Sequence, residues 1–351
     1  MNPLRALFTG VVLATAAALS GAHAQSVEDF YRGKTVNIIV GYAPGGGYDL
    51  YARILSRYIG NHIPGNPTIT VQNMPGAASL RAANHIYAAA NKDGTVFGTF
   101  DMNMPLIGFV GDKNVLFDAR KFTWLGSLSN FEADAYVLWA RKTAAAGTSA
   151  ALMKADGPPL NVGVAGAGAS DYDLAVLLRE TYGMRLRLVP GYPSSSATGK
   201  ALEGGEVDGQ FVTYLSSSQI KPAWGKPDND LHVILQFGRT TRHPNLQHVP
   251  LVREMARNEQ ERRLIEVAEA PYKLSRPYVG PPGIPEGRAK ALQAAFAAAA
   301  KTPGLIAEAQ GMNLEISPVL SAEAASLIDA LSKSPPEIFA KLRQFRESGP
   351  Q

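Results

Sequence analysis

Short apolar segments and amphipathic segments alternate along the chain from residue 34 onward. Alternation of this kind predicts an α/β protein with mainly parallel sheets covered by helices. The segments with a strand pattern lie at 36–40, 68–72, 95–100, 135–140, 160–164, 185–189, 209–213 and 232–237. The segments with a helical pattern lie at 48–59, 78–90, 171–182 and, more weakly, 194–203. Beyond Pro285 the chain is alanine-rich and helical, with breaks at Pro303, Pro318 and Pro335.

The first strand segment runs directly into a glycine turn, Pro44-Gly45-Gly46-Gly47, and a helix is predicted to begin near Tyr48. Glycines at such a turn leave the backbone N–H groups unobstructed by side chains. The N-terminus of the following helix carries a partial positive charge, so the turn predicts a socket for an anion. The alternative is a tight connection that touches no ligand.

A second turn of the same type follows the strand segment at 160–164. It reads Ala165-Gly166-Ala167-Gly168-Ala169, and the next helix opens at Ser170 and Asp171. Two such turns in separate α/β segments predict a ligand held between two lobes. Ser170 and Asp173 also have the spacing of a capping box, which would be a structural role.

The strand and helix pattern restarts after Gly126, which indicates a second domain. We expect the chain to cross between lobes near 129–140 and to return near 234–242. The second lobe is then an insertion in the first. The expected limits are 25–131 and 238–351 for lobe 1 and 132–237 for lobe 2.

Residues 1–24 have the form of an export signal, in which Arg5 precedes an apolar segment over 7–19 and Ala22-His23-Ala24 is a small-x-small cleavage site. The apolar segment is short for a membrane anchor, and no other segment of the sequence approaches the length of a membrane span. We therefore expect export to the periplasm. Since the signal contains one of the 34 basic side chains, 33 remain against 30 acidic ones. A net charge of +3, evenly spread, does not indicate nucleic acid binding.

Cysteine is absent from the chain, which excludes disulfides, thiolate nucleophiles and cysteine metal sites. The sequence also lacks a Gly-x-Ser-x-Gly turn, a phosphate loop and a complete dinucleotide fingerprint. We therefore expect a protein that is not an enzyme and that uses no cofactor or metal. The histidines outside the signal have no metal-type spacing; they are His62, His85, His232, His243 and His248.

Several motifs occur in the order found in one family of binding proteins. Residues 41–49 (GYAPGGGYD) with Ala52-Arg53 resemble the PPGGGTD…AR signature of the substrate-binding proteins of tripartite tricarboxylate transporters, the Bug or TctC family. Residues 71–77 (VQNMPGA) are similar to that family's VENKPGA, and 204–208 (GGEVD) to its GGQVD. Residues 166–170 resemble its second glycine loop. The resemblance covers essentially the whole chain after the signal.

The resemblance implies a type II periplasmic binding protein fold, in which two α/β lobes joined by two crossover strands close on a small carboxylate. It implies a ligand that is a dicarboxylate, a tricarboxylate, an aromatic acid or an amino acid. It also implies delivery to membrane permease subunits of the tripartite tricarboxylate type by a protein that is monomeric. A sensor protein that signals to the membrane is an alternative function, and a hydrolase or lyase on the same scaffold is a weaker one.

The glycine loops are the parts of the chain that the resemblance assigns to ligand binding, and strand ends and helix starts of the α/β pattern add further candidates. Asp49 is expected mainly to brace the first turn by accepting backbone N–H groups. The candidate ligand-binding residues are Tyr42, Pro44, Gly45, Gly46, Gly47, Tyr48, Asp49, Gly76, Ala77, Gly166, Gly168, Ala169, Ser170, Asp171, Tyr192, Ser194 and Thr213.

Two positions depart from the family pattern. Tyr48 stands where the family usually has threonine, and Asp171 stands where a small residue is common. A carboxylate at a helix N-terminus repels an incoming anion. If Asp171 faces the pocket, the ligand should carry a cationic or hydroxyl group beside its carboxylate; otherwise Asp171 points to solvent.

Overall fold

Two separate sheets organise the protein. The computed structural model describes residues 25–131, 134–154, 156–215, 217 and 221–348, so the expected export signal lies outside the described residues. The strands are β1 (Thr35–Val40), β2 (Thr68–Asn73), β3 (Val96–Thr99), β4 (Thr123–Ser127), β5 (Tyr136–Arg141), β6 (Leu160–Val164), β7 (Leu186–Pro190), β8 (Gly209–Thr213), β9 (Leu231–Phe237), β10 (Pro277–Gly280) and β11 (Val319–Leu320).

Each sheet combines parallel and antiparallel pairs. The first sheet has the order β11-β4-β10-β3-β1-β2, and the second has the order β7-β6-β8-β5-β9. Parallel pairing is restricted to three strands in each sheet, β2-β1-β3 and β7-β6-β8. The other pairs are antiparallel, because β10 runs opposite to β3 and β4, β11 runs opposite to β4, and β5 runs opposite to β8 and β9. The expectation of mainly parallel sheets therefore holds only for the strands that carry the glycine turns at their ends.

Helices flank both sheets. Those with an α-helical pattern are α1 (Val27–Tyr31), α2 (Gly47–Tyr58), α3 (Leu80–Asn84), α4 (Met104–Val110), α5 (Ser149–Leu152), α6 (Ser170–Tyr182), α7 (Ser195–Glu203), α8 (Glu259–Glu269), α9 (Glu286–Ala299), α10 (Pro303–Gly311), α11 (Ser321–Ser332) and α12 (Pro336–Glu347). Short 3-10 turns lie at Ile59–His62, Ala77–Ser79, Ala119–Lys121, Pro244–Leu246, Val252–Met255 and Ala270–Leu274, and a π turn lies at His85–Ala89.

The chain passes between the sheets twice, from β4 to β5 and from β9 back to β10. One apolar cluster continues across both halves, because it joins Leu106 of α4, Leu177 of α6, Ile265 of α8 and Leu342 of α12. Helix α12 therefore packs against a helix of the second sheet although it follows strands of the first. The lobe limits 25–131, 132–237 and 238–351 stay a prediction.

The predicted helix over 78–90 is broken in the structure. Ala77, Ala78 and Ser79 have positive φ values of 46°, 52° and 81°, so a regular helix begins only at Leu80. The Ser79 hydroxyl accepts the N–H of Asp101 over 3.0 Å, which holds this irregular turn against the end of β3. The long-range hydrogen bond outweighs the helical preference of the alanines.

Candidate functional site

A cavity lies between the two sheets, where the ends of their central strands meet. The volume of this cavity is about 70 Å³. Its walls come from both lobes, and the described residues that line it are Tyr42, Gly46, Gly47, Tyr48, Asp101, Met102, Tyr136, Ala165, Ser170, Asp171, Tyr192, Ser194, Ser195, Thr198, Gln210, Phe211, Val212, Thr213 and Arg276.

The first glycine turn presents two backbone N–H groups to this cavity. Gly46 caps α2 without a side-chain hydrogen bond, and no described residue accepts from the N–H of Gly46 or Gly47. The turn is held from behind by Asp49, which accepts the N–H of Gly45 and the Nε of Arg53, each over 2.9 Å. Although burial acts to raise it, these hydrogen bonds hold the pKa of Asp49 below its ordinary value. Asp49 is therefore ionised, and it stabilises the turn by accepting a backbone N–H group, the role that the sequence predicted for it.

Arg276 brings a buried positive charge to the same end of the cavity. Its guanidinium lies over the rings of Tyr48 and Tyr51, at 4.7 and 5.1 Å from the ring centroids. Nη1 donates to the carbonyl of Ser275 over 2.7 Å, but the buried Nε has no partner among the described residues. A Cβ added to Gly47 would lie 2.9 Å from Nη2, so the guanidinium sits directly against the first glycine turn.

The second glycine turn differs from the first, because groups of the protein itself accept three of its N–H groups. Gly168 N donates to Asp173 over 3.1 Å, and Ala165 N donates to Asp171 over 2.9 Å. Ala169 N donates to the carbonyl of Gly166 over 3.0 Å. The expectation of two equivalent anion sockets therefore does not match the structure, in which the second socket is already filled.

Asp101, at the end of β3, fills the second socket from the opposite lobe. Its Oδ1 accepts the N–H of Ser170, and its Oδ2 accepts the Ser170 hydroxyl, both over 3.0 Å. The Tyr42 hydroxyl donates to Oδ2 over 2.6 Å. Burial raises the pKa of Asp101, although these donors act in the opposite direction. The predicted capping box of Ser170 and Asp173 is wrong, since the N-cap is Ala169 and the Ser170 hydroxyl is bonded to Asp101.

Asp171 lines the cavity beside Asp101. Its two oxygens accept the N–H groups of Ala165 and Tyr172, over 2.9 and 2.7 Å. Burial, and then the neighbouring charge of Asp101, raise its pKa to about 7. The alternative that Asp171 points only to solvent is therefore excluded.

Aromatic rings form much of the remaining wall. Tyr42 and Tyr48 are stacked, with ring centroids 5.0 Å apart and planes 21° from parallel. The Tyr48 hydroxyl accepts the N–H of Met102 over 2.9 Å, which fixes the ring against the first lobe. Tyr136 and Thr213 face the cavity from the second sheet, and the buried Thr213 hydroxyl has no partner among the described residues.

The structure brings together about half of the candidates predicted from the sequence. Those that line the cavity are Tyr42, Gly46, Gly47, Tyr48, Ser170, Asp171, Tyr192, Ser194 and Thr213. Gly76 and Ala77 line a neighbouring cleft that shares Tyr42 and Tyr192 with the cavity. The candidates that do not line the cavity are Pro44, Gly45, Asp49, Gly166, Gly168 and Ala169, and ligand contact by them stays a prediction.

Two charged residues of the cavity were missed by the sequence reasoning. Asp101 follows a predicted strand, so the strand-end position that indicated Thr213 could have indicated it as well. Arg276 had no such signal, because Ser-Arg-Pro before a short strand is no known motif and its neighbours Gly47 and Tyr48 are distant in sequence. Among the described residues, no group of three or more histidine, aspartate or glutamate side chains could hold a metal ion.

Neither a protein-family model nor a curated protein matches this chain. Solved structures do match it. MatC from Rhodopseudomonas palustris with bound malate is 20% identical, with 89% of this chain and 99% of that chain covered and a TM-score of 0.65. The periplasmic binding protein BugD is 18% identical, with 90% and 97% covered and a TM-score of 0.67. A second R. palustris protein, with adipate, is 19% identical, with 89% and 97% covered and a TM-score of 0.68.

These likenesses concern the fold, because the identities are low while nearly all of each chain is covered. They confirm the predicted two-lobed α/β fold of type II periplasmic binding proteins. Within the part of the chain that the structure describes, every helix is too short or too polar to cross a membrane.

Proposed function

We propose that the protein is an extracytoplasmic solute-binding protein that captures a small organic acid between its lobes and delivers it unchanged to a permease of the tripartite tricarboxylate type. The observation that carries the proposal is the buried guanidinium of Arg276 beside the free N–H groups of Gly46 and Gly47. Arg276 makes no ion pair with a described residue, although its charge interacts with that of the buried Asp134, and a ligand carboxylate would supply a direct partner. The motifs resembling the Bug or TctC family, and the predicted export signal over residues 1–24, support a function in the periplasm.

The proposed mechanism is closure of two lobes around the ligand. Arg276 and the first glycine turn belong to one lobe, whereas Asp171, Tyr192 and Thr213 belong to the other. A ligand that touches both sets gains contacts in the closed state that the open state lacks, so it shifts the equilibrium toward closure. The permease would then recognise the closed form.

The test begins with a thermal-shift screen of monocarboxylates, dicarboxylates, tricarboxylates, aromatic acids and amino acids, since a ligand that binds the folded state raises the melting temperature. The acid with the largest shift is then titrated by calorimetry against the wild type and Arg276→Met. Loss of two charge-assisted hydrogen bonds should weaken binding about 100-fold, or about 2.8 kcal/mol.

Arg141→Met is the matched control. Arg141 ends β5, is about a quarter exposed, pairs with Asp230 over 3.0 Å and does not line the cavity. It should bind the acid as the wild type does. Equal affinity of the Arg276 and Arg141 variants, or failure of every acid to bind, would contradict the proposal. Recovery of the unchanged acid after incubation, by mass spectrometry, tests the absence of catalysis.

A further inference from the structure

The cavity lining carries opposite charges at its two glycine turns. Arg276 is the only basic side chain among the described residues that line it, and it lies against the first glycine turn. The acidic residues of the lining are Asp101 and Asp171, which stand at the second glycine turn. A ligand that spans the cavity therefore meets a cation and bare N–H groups at one end and carboxylates at the other.

Three N–H groups at the acidic end are not available to a second ligand carboxylate. The N–H groups of Ala165, Gly168 and Ser170 are bonded to Asp171, Asp173 and Asp101 respectively. The positive end of α6, which would attract an anion, is thus neutralised by the protein's own side chains. A ligand carboxylate placed there would be repelled by two aspartates.

The same end is suited to a group that donates hydrogen bonds. Asp171 retains unused lone pairs, since each of its oxygens accepts only one N–H group. The Thr213 hydroxyl is buried and has no partner among the described residues. The ring of Tyr136 adds an aromatic face in the same wall, and such faces attract cations.

We propose that the ligand is a zwitterion, an organic acid that carries a cationic nitrogen, and that Asp101 and Asp171 select it against dicarboxylates. Asp101 accepts the N–H and hydroxyl of Ser170, which the second carboxylate of a diacid would otherwise need as donors. Asp171 pairs with the cation. The inference rests on the proposed function, because it assumes that Arg276 holds the ligand carboxylate. It concerns only the group at the opposite end of the ligand.

The experiment compares acids that differ in that end group alone. The probes are glycine, β-alanine, 4-aminobutanoate, 5-aminopentanoate and 4-(aminomethyl)benzoate, each set against the diacid and the methyl-terminated acid of similar length. Affinities are measured by calorimetry at pH 8, where Asp171 is mainly ionised. At least one amino acid should bind ten or more times more tightly than its paired diacid.

Asp171→Asn then tests the residue itself. The variant should lower the affinity for that amino acid at least tenfold and raise the affinity for the paired diacid, so that the selectivity ratio falls about 100-fold. Asp208→Asn is the matched control, because Asp208 lies beside the same sheet but accepts from Asn161 and does not line the cavity. Its selectivity ratio should change less than threefold. A ratio between two ligands is not altered by a loss of stability that affects both.

The outcomes separate this inference from the function on which it rests. Tighter binding of the diacids that depends on Arg276 would overturn the zwitterion and leave the proposed function in place. An unchanged ratio in Asp171→Asn would also overturn it. Failure of every probe to bind, or binding that Arg276→Met does not weaken, would overturn both.

Discussion

Ser170 donates its backbone N–H to Oδ1 of Asp101 and its hydroxyl to Oδ2, both over 3.0 Å. Asp101 follows a strand of the first sheet and Ser170 begins a helix beside the second, so this pair joins the lobes directly across the cavity. The lobes are also joined by the N–H of Ala43, which donates to the carbonyl of Pro193 over 3.1 Å. Closure is therefore stabilised by contacts that do not involve a ligand.

Asp101→Ala should shift the unliganded protein toward an open form. The substitution leaves the Ser170 N–H and the Tyr42 hydroxyl without their acceptor, which costs about 2–4 kcal/mol in the closed state. Small-angle scattering should show a larger radius of gyration for the unliganded variant. Asp93→Ala is the control, because among the described residues the Asp93 carboxylate accepts only from Thr95, within the first lobe. An Asp101 variant with the same radius of gyration as the control would show that Asp101 does not hold the two lobes together.

Gly46→Val should block closure without disturbing the fold. Gly46 has φ −88° and ψ 171°, which valine adopts readily, but an added Cβ would lie 3.2 Å from Cβ of Ser194 and 3.3 Å from Oγ of Ser195 in the other lobe. We expect affinity to fall about tenfold for alanine and about 100-fold for valine, the equivalent of about 1.4 and 2.8 kcal/mol. Gly311→Ala, with no neighbour within 4 Å, should bind normally. Normal binding by Gly46→Val would disprove the close approach of the lobes.

In contrast to Gly46→Val, Gly168→Ala should lower the stability of the protein and leave its affinity for the ligand nearly unchanged. Gly168 has φ +96°, which side chains rarely allow, and its added Cβ would approach Arg346 outside the cavity. The substitution should lower the free energy of unfolding by about 1–3 kcal/mol while affinity changes less than threefold. Urea denaturation and calorimetry measure the two quantities. A large loss of affinity at wild-type stability would instead indicate that the second glycine turn contacts the ligand.

The stability of the unliganded protein should fall as pH rises from about 5 to 8. Burial raises the pKa of Asp171 to about 7 and those of Asp134 and Asp173 to about 6, from an ordinary value of 3.8. Between pH 5 and 8 these aspartates hold protons in the folded protein that the unfolded chain has released. Their favourable contribution to the free energy of unfolding is therefore present at low pH and is lost as the pH rises past the folded-state pKa values. His232 acts in the opposite direction, because burial lowers its pKa.

Asp171→Asn isolates one part of that dependence. Because one pKa unit corresponds to about 1.4 kcal/mol, the loss of stability between pH 5 and 8 should be about 2.6 kcal/mol smaller in the variant than in the wild type. Urea denaturation at intervals of one pH unit measures the difference. If the free energy of unfolding changes equally with pH in the variant and the wild type, Asp171 is already ionised at pH 5.

Local sequence was sufficient for the elements that carry the glycine turns. The predicted strands at 160–164 and 209–213 have the same limits in the structure, and the helix predicted to begin near Tyr48 begins at Gly47. At 36–40 and 160–164 the apolar pattern and the glycines that follow the strand favour the same conformation. Strands Thr123–Ser127 and Pro277–Gly280 were missed, because they are short, buried and follow no alternating pattern.

The site was harder to predict than the fold for a physical reason. Gly46 and Gly47 are recognisable because a glycine turn is a local feature. Whether their N–H groups are free depends on which distant side chain reaches them, and the same holds for the second turn, which Asp101 reaches from the other lobe. The sequence therefore located both turns but could not distinguish the open one from the occupied one.

Arg346, near the end of α12, pairs with Asp112 over 2.9 Å and with Asp173 over 3.4 Å. Asp112 follows α4 beside the first sheet, and Asp173 lies on α6 beside the second. Separation of these aspartates would force the arginine to follow one and abandon the other. Arg346 thus links the C-terminal helix to both halves of the molecule, and a fluorescent label on the exposed face of this helix should report a change in their separation.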